Sequence, residues 1–481
     1  MAGIGVKLKQ IYSKNTLTTD MAGIGYSVVI TIAPMISVII TMYVMQYVLE
    51  FSSVEYAQRD LFTSTVMYIF IFSLITTAPF NSVLSRYMSD TIFRETFEDV
   101  RPCYFVGLMM NIGISALFGI IFCIHEFVAG DVDIFYVFTG YCGYIALVLV
   151  FYSMLYLSIC KEYKKISFYF TIGMIVAFIS SILFRKGFHF SVGYSMLLAL
   201  TIGFGIIACL EYGIVQSYFT QDSKNYKSVL LYFKEYWQLV FSNLFYTLGL
   251  FVHNFVFWST AYHMVVRKSF VSMTTYDMAT CLAMFTNISA SVIFISRVEM
   301  HFHERYKAFS ESIINGRGED IEITKTRMFR RLSEELMNLT RIQFIITLII
   351  FLLCMIILPQ AGFGGMTMRI YPCLAAGYFI LFLMYAEIIF LYYLNDTEGS
   401  LLTAIVFFIS TFAASLVATN LSEIWYGLGV VIGSFVGFTT AYARLHWLEQ
   451  NFGIHTFCEG SILKKKKEAY PSPKVFDRYQ E

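Results

Sequence analysis

The sequence predicts an all-α protein that crosses a membrane many times. Of its 481 residues, 57% are hydrophobic and only 14% are charged, whereas roughly 25% of the residues in an ordinary soluble domain are charged. Apolar runs of about 20 residues, which is the length a helix needs to cross a bilayer, recur along the whole chain. They do not alternate in polarity as the roughly ten-residue strands of a membrane β-barrel would. We therefore expect transmembrane helices.

Twelve apolar segments are the predicted spans. They lie near residues 24–49, 61–82, 103–124, 135–159, 165–184, 190–216, 236–259, 272–295, 342–359, 370–394, 400–418 and 424–443. The sequence "YFKEYW" leads into the seventh span and is predicted to form an interfacial or oblique helix. In the twelfth span, Gly429, Gly433 and Gly437 have the spacing of a close-packing helix face.

The distribution of basic residues predicts the orientation of these spans. If the N-terminus is cytoplasmic, only six of the 34 Lys and Arg residues fall in outside loops. Cytoplasmic loops of membrane proteins carry an excess of Lys and Arg, so both termini are predicted to be cytoplasmic. The first apolar run is too long for the apolar region of a cleavable signal peptide. We expect it to be a retained helix.

Two charged segments indicate an internal repeat. "SRYMSDTIFRETFED" (85–99) follows the second span, and "SRVEMHFHERYKAFSE" (296–311) follows the eighth, the same place in a count of six. We therefore predict two six-helix halves, 1–220 and 221–450, followed by a basic cytoplasmic tail at 451–481. In transporters built from parallel repeats, substrate binds between the repeats, which rock against each other. The tail is expected to contact anionic membrane lipids.

The second of these segments contains four residues of types that bind metals: Glu299, His301, His303 and Glu304. Because each helical residue turns about 100°, Glu299 and His303 share one face and His301 and Glu304 share another. The four side chains cannot surround one ion within this helix. We expect no metal site here, and interpret the segment as a cytoplasmic amphipathic helix.

This helix is expected to begin a cytoplasmic hairpin at residues 296–341, with its turn at "NGRG" (315–318). The hairpin would be the largest soluble piece of the protein and the place where a cytoplasmic partner docks. Its first helix carries an apolar stripe at helical spacing. The candidate docking residues on this stripe are Val298, Phe302, Tyr306 and Phe309.

Polar residues inside the predicted spans are candidates for a substrate path. A charged side chain at the bilayer centre costs about 2.5–3.5 kcal/mol on insertion scales, so it needs a partner, a cavity or a function. A polar lining between the halves is one interpretation, and hydrogen bonding between helices is the alternative. The candidates are Glu211 in span 6, His253 and Asn254 in span 7, Tyr276 and Asp277 in span 8, and Glu387 in span 10.

Motifs of enzymes and cofactor-binding proteins do not occur in the sequence. It contains no Walker motif, no G-x-G-x-x-G between strand and helix, and no H-E-x-x-H. Its nine cysteines show neither C-x-x-C nor paired extracellular spacing, so neither disulfides nor a cysteine zinc site is expected. We expect a non-enzyme without a cofactor or metal and without a nucleic-acid partner.

Several stretches resemble one family. "MAGIGVKLKQ" is similar to the start of PelG proteins, the transporters of Pel exopolysaccharide systems in the multidrug/oligosaccharidyl-lipid/polysaccharide flippase superfamily. The likeness continues at "SRYMSDTIF", "LGLFVHNFVFW", "TTYDMA" and "SRVEMHFHERYKAF". The resemblance implies a twelve-helix transporter that exports an amino-sugar polymer across the bacterial cytoplasmic membrane for the biofilm matrix. It also implies two partners, a cytoplasmic glycosyltransferase and a cyclic-di-GMP-binding membrane protein.

The resemblance carries over to few individual residues. Tyr276 and Asp277 match a Tyr-Asp pair of the family, but His253 and Asn254 stand where relatives often have Asp-Lys. Other functions stay open: a flippase for a lipid-linked oligosaccharide, a cation-coupled drug antiporter, or a non-transporting scaffold for a synthase. The sequence shows no cluster of basic residues within the spans for a lipid-linked diphosphate, and drug efflux would not need the 296–341 hairpin.

Overall fold

The computed structural model describes residues 17–160, 162–287, 299–360 and 364–457, which are almost entirely helical. Up to residue 257 the helices are α1 (Leu17–Val48), α2 (Tyr56–Phe93), α3 (Val100–Ala129), α4 (Ile134–Ile159), α5 (Tyr163–Lys186), α6 (Val192–Tyr218), α7 (Tyr226–Glu235) and α8 (Trp237–Phe257). The strands β1 (Met264–Val266) and β2 (Phe270–Ser272) follow. The remaining helices are α9 (Thr274–Asn287), α10 (Glu299–Asn315), α11 (Gly318–Gln360), α12 (Met366–Tyr393), α13 (Thr397–Ala418) and α14 (Leu428–Phe457).

Ten of the described helices are long and apolar enough to cross a membrane, which confirms a multi-pass α-helical protein. They are α2 to α6, α8 and α11 to α14. The described apolar stretch of α1, Ala33–Val48, is shorter, and α9 runs to Asn287, where the described range ends. The count of twelve spans and the orientation of the termini therefore stay predictions.

Two boundaries depart from a simple sequence of spans and loops. A separate helix, α7, precedes span 7 as expected and is followed by a break at Tyr236, while its position at the membrane interface stays a prediction. The turn expected near residues 315–318 separates α10 from α11. However, α11 is one 43-residue helix, so the second helix of the hairpin continues directly into the ninth span. No Gly or Pro interrupts it between Gly318 and Pro359, which leaves no residue to stop the helix.

The helices pack in the same order in two parts of the chain. In the first part, α1 to α6, the contacts run from α2 to α4, α6, α5 and α1. In the second part, α8 to α14, they run from α9 to α12, α14, α13 and α8. Counted as spans from the start of each part, both orders are second, fourth, sixth, fifth, first. The two parts thus share one packing pattern.

Glycines permit the closest helix contacts of this pattern. In α6, a Cβ on Gly203 would lie 2.8 Å from the carbonyl oxygen of Gly173 in α5. In α14, a Cβ on Gly429 or Gly433 would collide with the facing Ser415 or Thr411 of α13. Small residues allow such close approach of membrane helices. The close-packing face predicted for the last span is therefore confirmed.

A short β-hairpin connects α8 and α9 and contacts the first part of the protein. Strands β1 and β2 pair antiparallel, with Val265 opposite Val271. In the hairpin turn, the Ser269 hydroxyl donates a hydrogen bond to the carboxylate of Glu126, which is 2% exposed at the end of α3. Together with the packing of α2 on α8, this hairpin forms an interface between the two parts, called the α2–α8 seam below.

Candidate functional site along the α2–α8 seam

Three helices of the second part meet around the imidazole of His253. Its Nδ1 lies 2.9 Å from the Tyr276 hydroxyl, and its Nε2 lies 3.2 Å from the Tyr378 hydroxyl. His253 and Tyr276 are 1% and 0% exposed. A neutral imidazole has one donor and one acceptor nitrogen, and a tyrosine hydroxyl can fill either role. Both ring nitrogens are therefore satisfied, and the histidine joins α8 to α9 and α12.

The carboxylate of Asp277 is the most heavily hydrogen-bonded group of this site. It accepts hydrogen bonds from Asn254 Nδ2 at 2.7 Å, Trp258 Nε1 at 3.0 Å and the Met273 backbone N–H at 3.1 Å. Because Asn254 in the last turn of α8 and Trp258 just after its end are four residues apart, their donors converge on one point. Hydrogen bonds to a charged acceptor are stronger than neutral ones. Asp277 therefore fixes the first turn of α9 against α8.

Tyr68 of α2 links this group to the first part of the protein. Its ring stacks on Trp258 with centroids 5.2 Å apart. Its hydroxyl donates to the Val271 carbonyl at 2.6 Å and accepts from the Val271 N–H at 2.9 Å. A single indole thus contacts Asp277 through its N–H and Tyr68 through its ring face. The half-buried Asp277 lies at the seam and not deep within the second part.

A second set of hydrogen bonds lies at the other end of α2. Asn243 of α8 donates to the Ser82 hydroxyl and accepts from the Tyr392 hydroxyl at 3.3 Å. Arg86 donates to Asn395 Oδ1 at 2.6 Å. These bonds join α2 to α8, to the end of α12 and to the α12–α13 connection. Arg86 belongs to the "SRYMSD" segment that suggested the internal repeat, which is the sequence signal that could have located this contact.

The other two acidic candidates lie away from the Asp277 group. Glu387 is 1% exposed and follows Tyr378 by nine residues on α12, which is about 13 Å along a helix. Its Oε2 has no hydrogen-bond partner in the described structure. Glu211 of α6 is 0% exposed, lies within electrostatic reach of Tyr104, and has no described partner for either oxygen. The structure therefore brings four of the six path candidates together and leaves Glu387 and Glu211 separate.

The apolar stripe on α10 is occupied within the protein. The rings of Phe302 and Phe390 make an edge contact at 4.9 Å, and those of Phe309 and Phe452 lie 5.3 Å apart. Phe302 and Phe309 are 0% and 3% exposed. Tyr306 is half-buried. Packing against α12 and α14 covers Phe302 and Phe309 in this conformation, and docking of a partner on this stripe stays a prediction.

Part of the predicted hairpin lies outside the described residues. This holds for Val298 and for the side chains of Glu299, His301 and His303. The basic tail beyond residue 457 also lies outside the described residues. Within the described ranges, no group of three or more His, Cys, Asp or Glu side chains is placed to hold a metal ion. The absence of a metal site stays a prediction.

The PelG family model, with the description "Putative exopolysaccharide Exporter (EPS-E)", matches residues 1–457. The chain belongs to the PelG family. The family predicted from the short resemblances is thus confirmed. No curated protein sequence matches the chain.

Solved structures similar to this PelG-family chain include MATE transporters. A mutant of the Vibrio cholerae MATE transporter VcmN superposes with a TM-score of 0.62 at 10% identity, covering 94% of this chain and 98% of that chain. A MATE in the bent conformation gives 0.57 at 13% identity, covering 89% and 96%. An outward-facing multidrug resistance MATE transporter of the MOP superfamily gives 0.57 at 14% identity, covering 88% and 96%. At such identities the likeness establishes the fold alone, which this chain shares with these MATE structures.

Proposed function

We propose that this protein exports a Pel-type amino-sugar exopolysaccharide across the bacterial cytoplasmic membrane for the biofilm matrix. The observation that carries the proposal is the match of the exopolysaccharide-exporter family over residues 1–457. The MATE-like fold supports transport as the activity. A lipid-linked oligosaccharide flippase and a drug antiporter are not favoured by the family match and become outcomes of the test below. No catalytic step is part of the proposal.

The proposed path runs between two halves, 1–220 and 221–450. The shared packing order of α1–α6 and α8–α14 supports this division, because parallel repeats carry substrate at their interface. The intramembrane candidates on and near the path include three carboxylates: Asp277, Glu387 and Glu211. An amino group without an acyl substituent is protonated at neutral pH, so carboxylates offer such a polymer complementary charge.

The proposed partners are the cytoplasmic glycosyltransferase and the cyclic-di-GMP-binding membrane protein. Since Phe302 and Phe309 are buried, we place the docking surface on the exposed faces of α10 and α11. Three large apolar side chains lie there, with 76% of Ile314, 42% of Ile323 and 54% of Met337 exposed. Exposed apolar groups on a cytoplasmic hairpin are suited to contact another protein.

The test is deletion of the gene in its host, with surface polymer scored by a galactosamine-binding lectin. The glycosyltransferase level is measured in parallel, since loss of the enzyme would also abolish polymer. Complementation uses the wild type, Asp277→Asn, Glu387→Gln and the matched control Asp131→Asn, an exposed aspartate before α4. We expect the wild type and the control to restore surface polymer and the two intramembrane variants to restore less.

The outcomes separate the functions. Unchanged surface polymer in the deletion strain, together with drug sensitivity or loss of another glycan, would overturn the export proposal. If Asp277→Asn and Glu387→Gln each restored surface polymer in full, the export proposal would stand, but neither carboxylate would belong to the path.

A further inference from the structure

A long cavity of about 590 Å³ lies beside α2, between it and α3, α4 and α8. One face of α2 lines the cavity from Thr65 to Phe80, which at about 1.5 Å per residue is a length of about 22 Å. The β-hairpin contributes Phe270 at the Thr65 end. This length exceeds the depth of one bilayer leaflet, which is about 15 Å of hydrocarbon. The shape is therefore that of a slot along the seam and not of a compact pocket.

The slot offers hydrocarbon surface, because its side chains are aromatic or aliphatic and several of its hydroxyls are already paired. Thr76 and Tyr144 share a hydrogen bond of 2.7 Å, and Tyr136 donates to Thr65 at 3.3 Å. Tyr68 uses its hydroxyl on the backbone of the β-hairpin. A sugar polymer or a file of water needs many free donors and acceptors. This lining is suited instead to an alkyl chain.

The surrounding bilayer is the source of this alkyl chain. Phe72 and Phe118 line the slot and are 41% and 60% exposed on membrane-spanning helices, so the slot borders the lipid-facing surface. An apolar cavity does not fill with water. If it stayed empty, the surrounding side chains would lose packing contacts in proportion to its volume. A lipid tail from the surrounding bilayer fills the cavity and keeps these packing contacts.

The surroundings of the slot near Phe80 indicate the charge of the lipid headgroup. Phe80 packs against Phe233 of α7, with ring centroids 6.2 Å apart. Helix α7 is amphipathic: Tyr232 is buried, whereas Lys227 and Lys234 are exposed. Lysines on a helix at a membrane surface attract anionic lipids. Helix α7, which carries these two exposed lysines, thus lies beside the end of the slot near Phe80.

We propose that the slot along α2 holds one acyl chain of an anionic phospholipid, whose headgroup lies beside Lys227 and Lys234 of α7. The slot lies at the seam between the two halves, where the polymer path is also proposed, and its apolar lining assigns it to a lipid tail and not to the polymer.

The experiment uses the full chain in nanodiscs of phosphatidylcholine with a small, varied fraction of phosphatidylglycerol that carries a photoreactive diazirine in its acyl chain. After irradiation, adducts are mapped by peptide mass spectrometry. We expect labelling of the α3 and α4 segments that line the slot to saturate at low probe fractions. The lipid-facing side of α5, where Ile175 and Ile179 are more than half exposed, reports ordinary boundary lipid and should rise in proportion to the probe.

Filling variants test occupancy from two helices. Leu244→Trp and Val137→Phe add volume to the slot, and Ile175→Trp adds it to the lipid-facing side of α5 as the matched control. Labelling of the slot should fall about tenfold in both filling variants, a change equivalent to about 1.4 kcal/mol of binding free energy, and stay unchanged in the control. If one filling variant fails to fold, as judged by size-exclusion chromatography, the other variant and the wild-type saturation curve still show whether the probe occupies the slot.

Charge variants test the headgroup. The wild type should be labelled more strongly by the phosphatidylglycerol probe than by a phosphatidylcholine probe with the same chain, and Lys227→Gln with Lys234→Gln should remove that preference. Slot labelling that only parallels the α5 face, or that persists in both filling variants, would overturn the site. Equal labelling by the two probes in the wild type would overturn the anionic headgroup. Displacement of the probe by a galactosamine oligosaccharide would reassign the slot to the polymer path.

Discussion

The hydrogen bond between Trp258 and Asp277 can be tested by the substitution Trp258→Phe. Phenylalanine keeps an aromatic ring against Tyr68 but removes the N–H that lies 3.0 and 3.1 Å from the two carboxylate oxygens. A hydrogen bond to a charged group contributes about 1.5–3 kcal/mol. Unfolding entropy is about 2.1 cal/mol/K per residue, which for 481 residues is about 1 kcal/mol/K. The thermal midpoint should therefore fall by at least about 1.5–3 °C, and by more if the second part unfolds alone.

The assay is a thermal scan of the detergent-solubilised protein with a thiol-reactive dye, which reports the exposure of buried cysteines such as Cys103. Trp425→Phe is the matched control, because that indole is 51% exposed and should not shift the midpoint. A double-mutant cycle with Asp277→Asn isolates the pair. The bond does not stabilise the seam if Trp258→Phe has the same thermal midpoint as the control. The same conclusion holds if the double variant loses as much stability as the two single variants combined.

Three further predictions follow from other contacts. Arg444→Gln should lower the thermal midpoint because it leaves the 2%-exposed Asp396 without the guanidinium that contacts it at 2.5 and 3.0 Å; adding Asp396→Asn should recover part of the loss. Gly433→Val should destabilise by about 1–3 kcal/mol, because its Cβ would meet the facing threonine of α13. Gly453→Ala has open space around it and lies within α14, so it should not lower the midpoint in the same scan and should raise it slightly. Phe302→Ala should cost about 3–5 kcal/mol and lower the yield of folded protein, which would distinguish a core residue from a docking residue.

The sequence predicted the features that depend on composition and local spacing. The apolar runs located the described membrane-spanning helices, and the glycines of the last span predicted its close contact with α13. The sequence did not predict contacts between residues that are far apart in the chain. His253 meets Tyr378 across 125 residues and Tyr68 meets Val271 across 203, and nothing in the local pattern of either segment indicates the partner. The β-hairpin was missed because strands of three residues are too short to show alternation.

Burial also changes which carboxylate is the best test of the path. Asp277 has three donors, so Asp277→Asn replaces an acceptor by an amide that faces them with its own N–H groups, and it should lower both stability and export. Glu387 has one buried oxygen without a hydrogen-bond partner in the described structure, and an unsatisfied buried polar group lowers stability. Glu387→Gln should therefore leave the thermal midpoint unchanged or raised while surface polymer falls. Normal export in Glu387→Gln, with a stable protein, would show that this carboxylate takes no part in polymer movement.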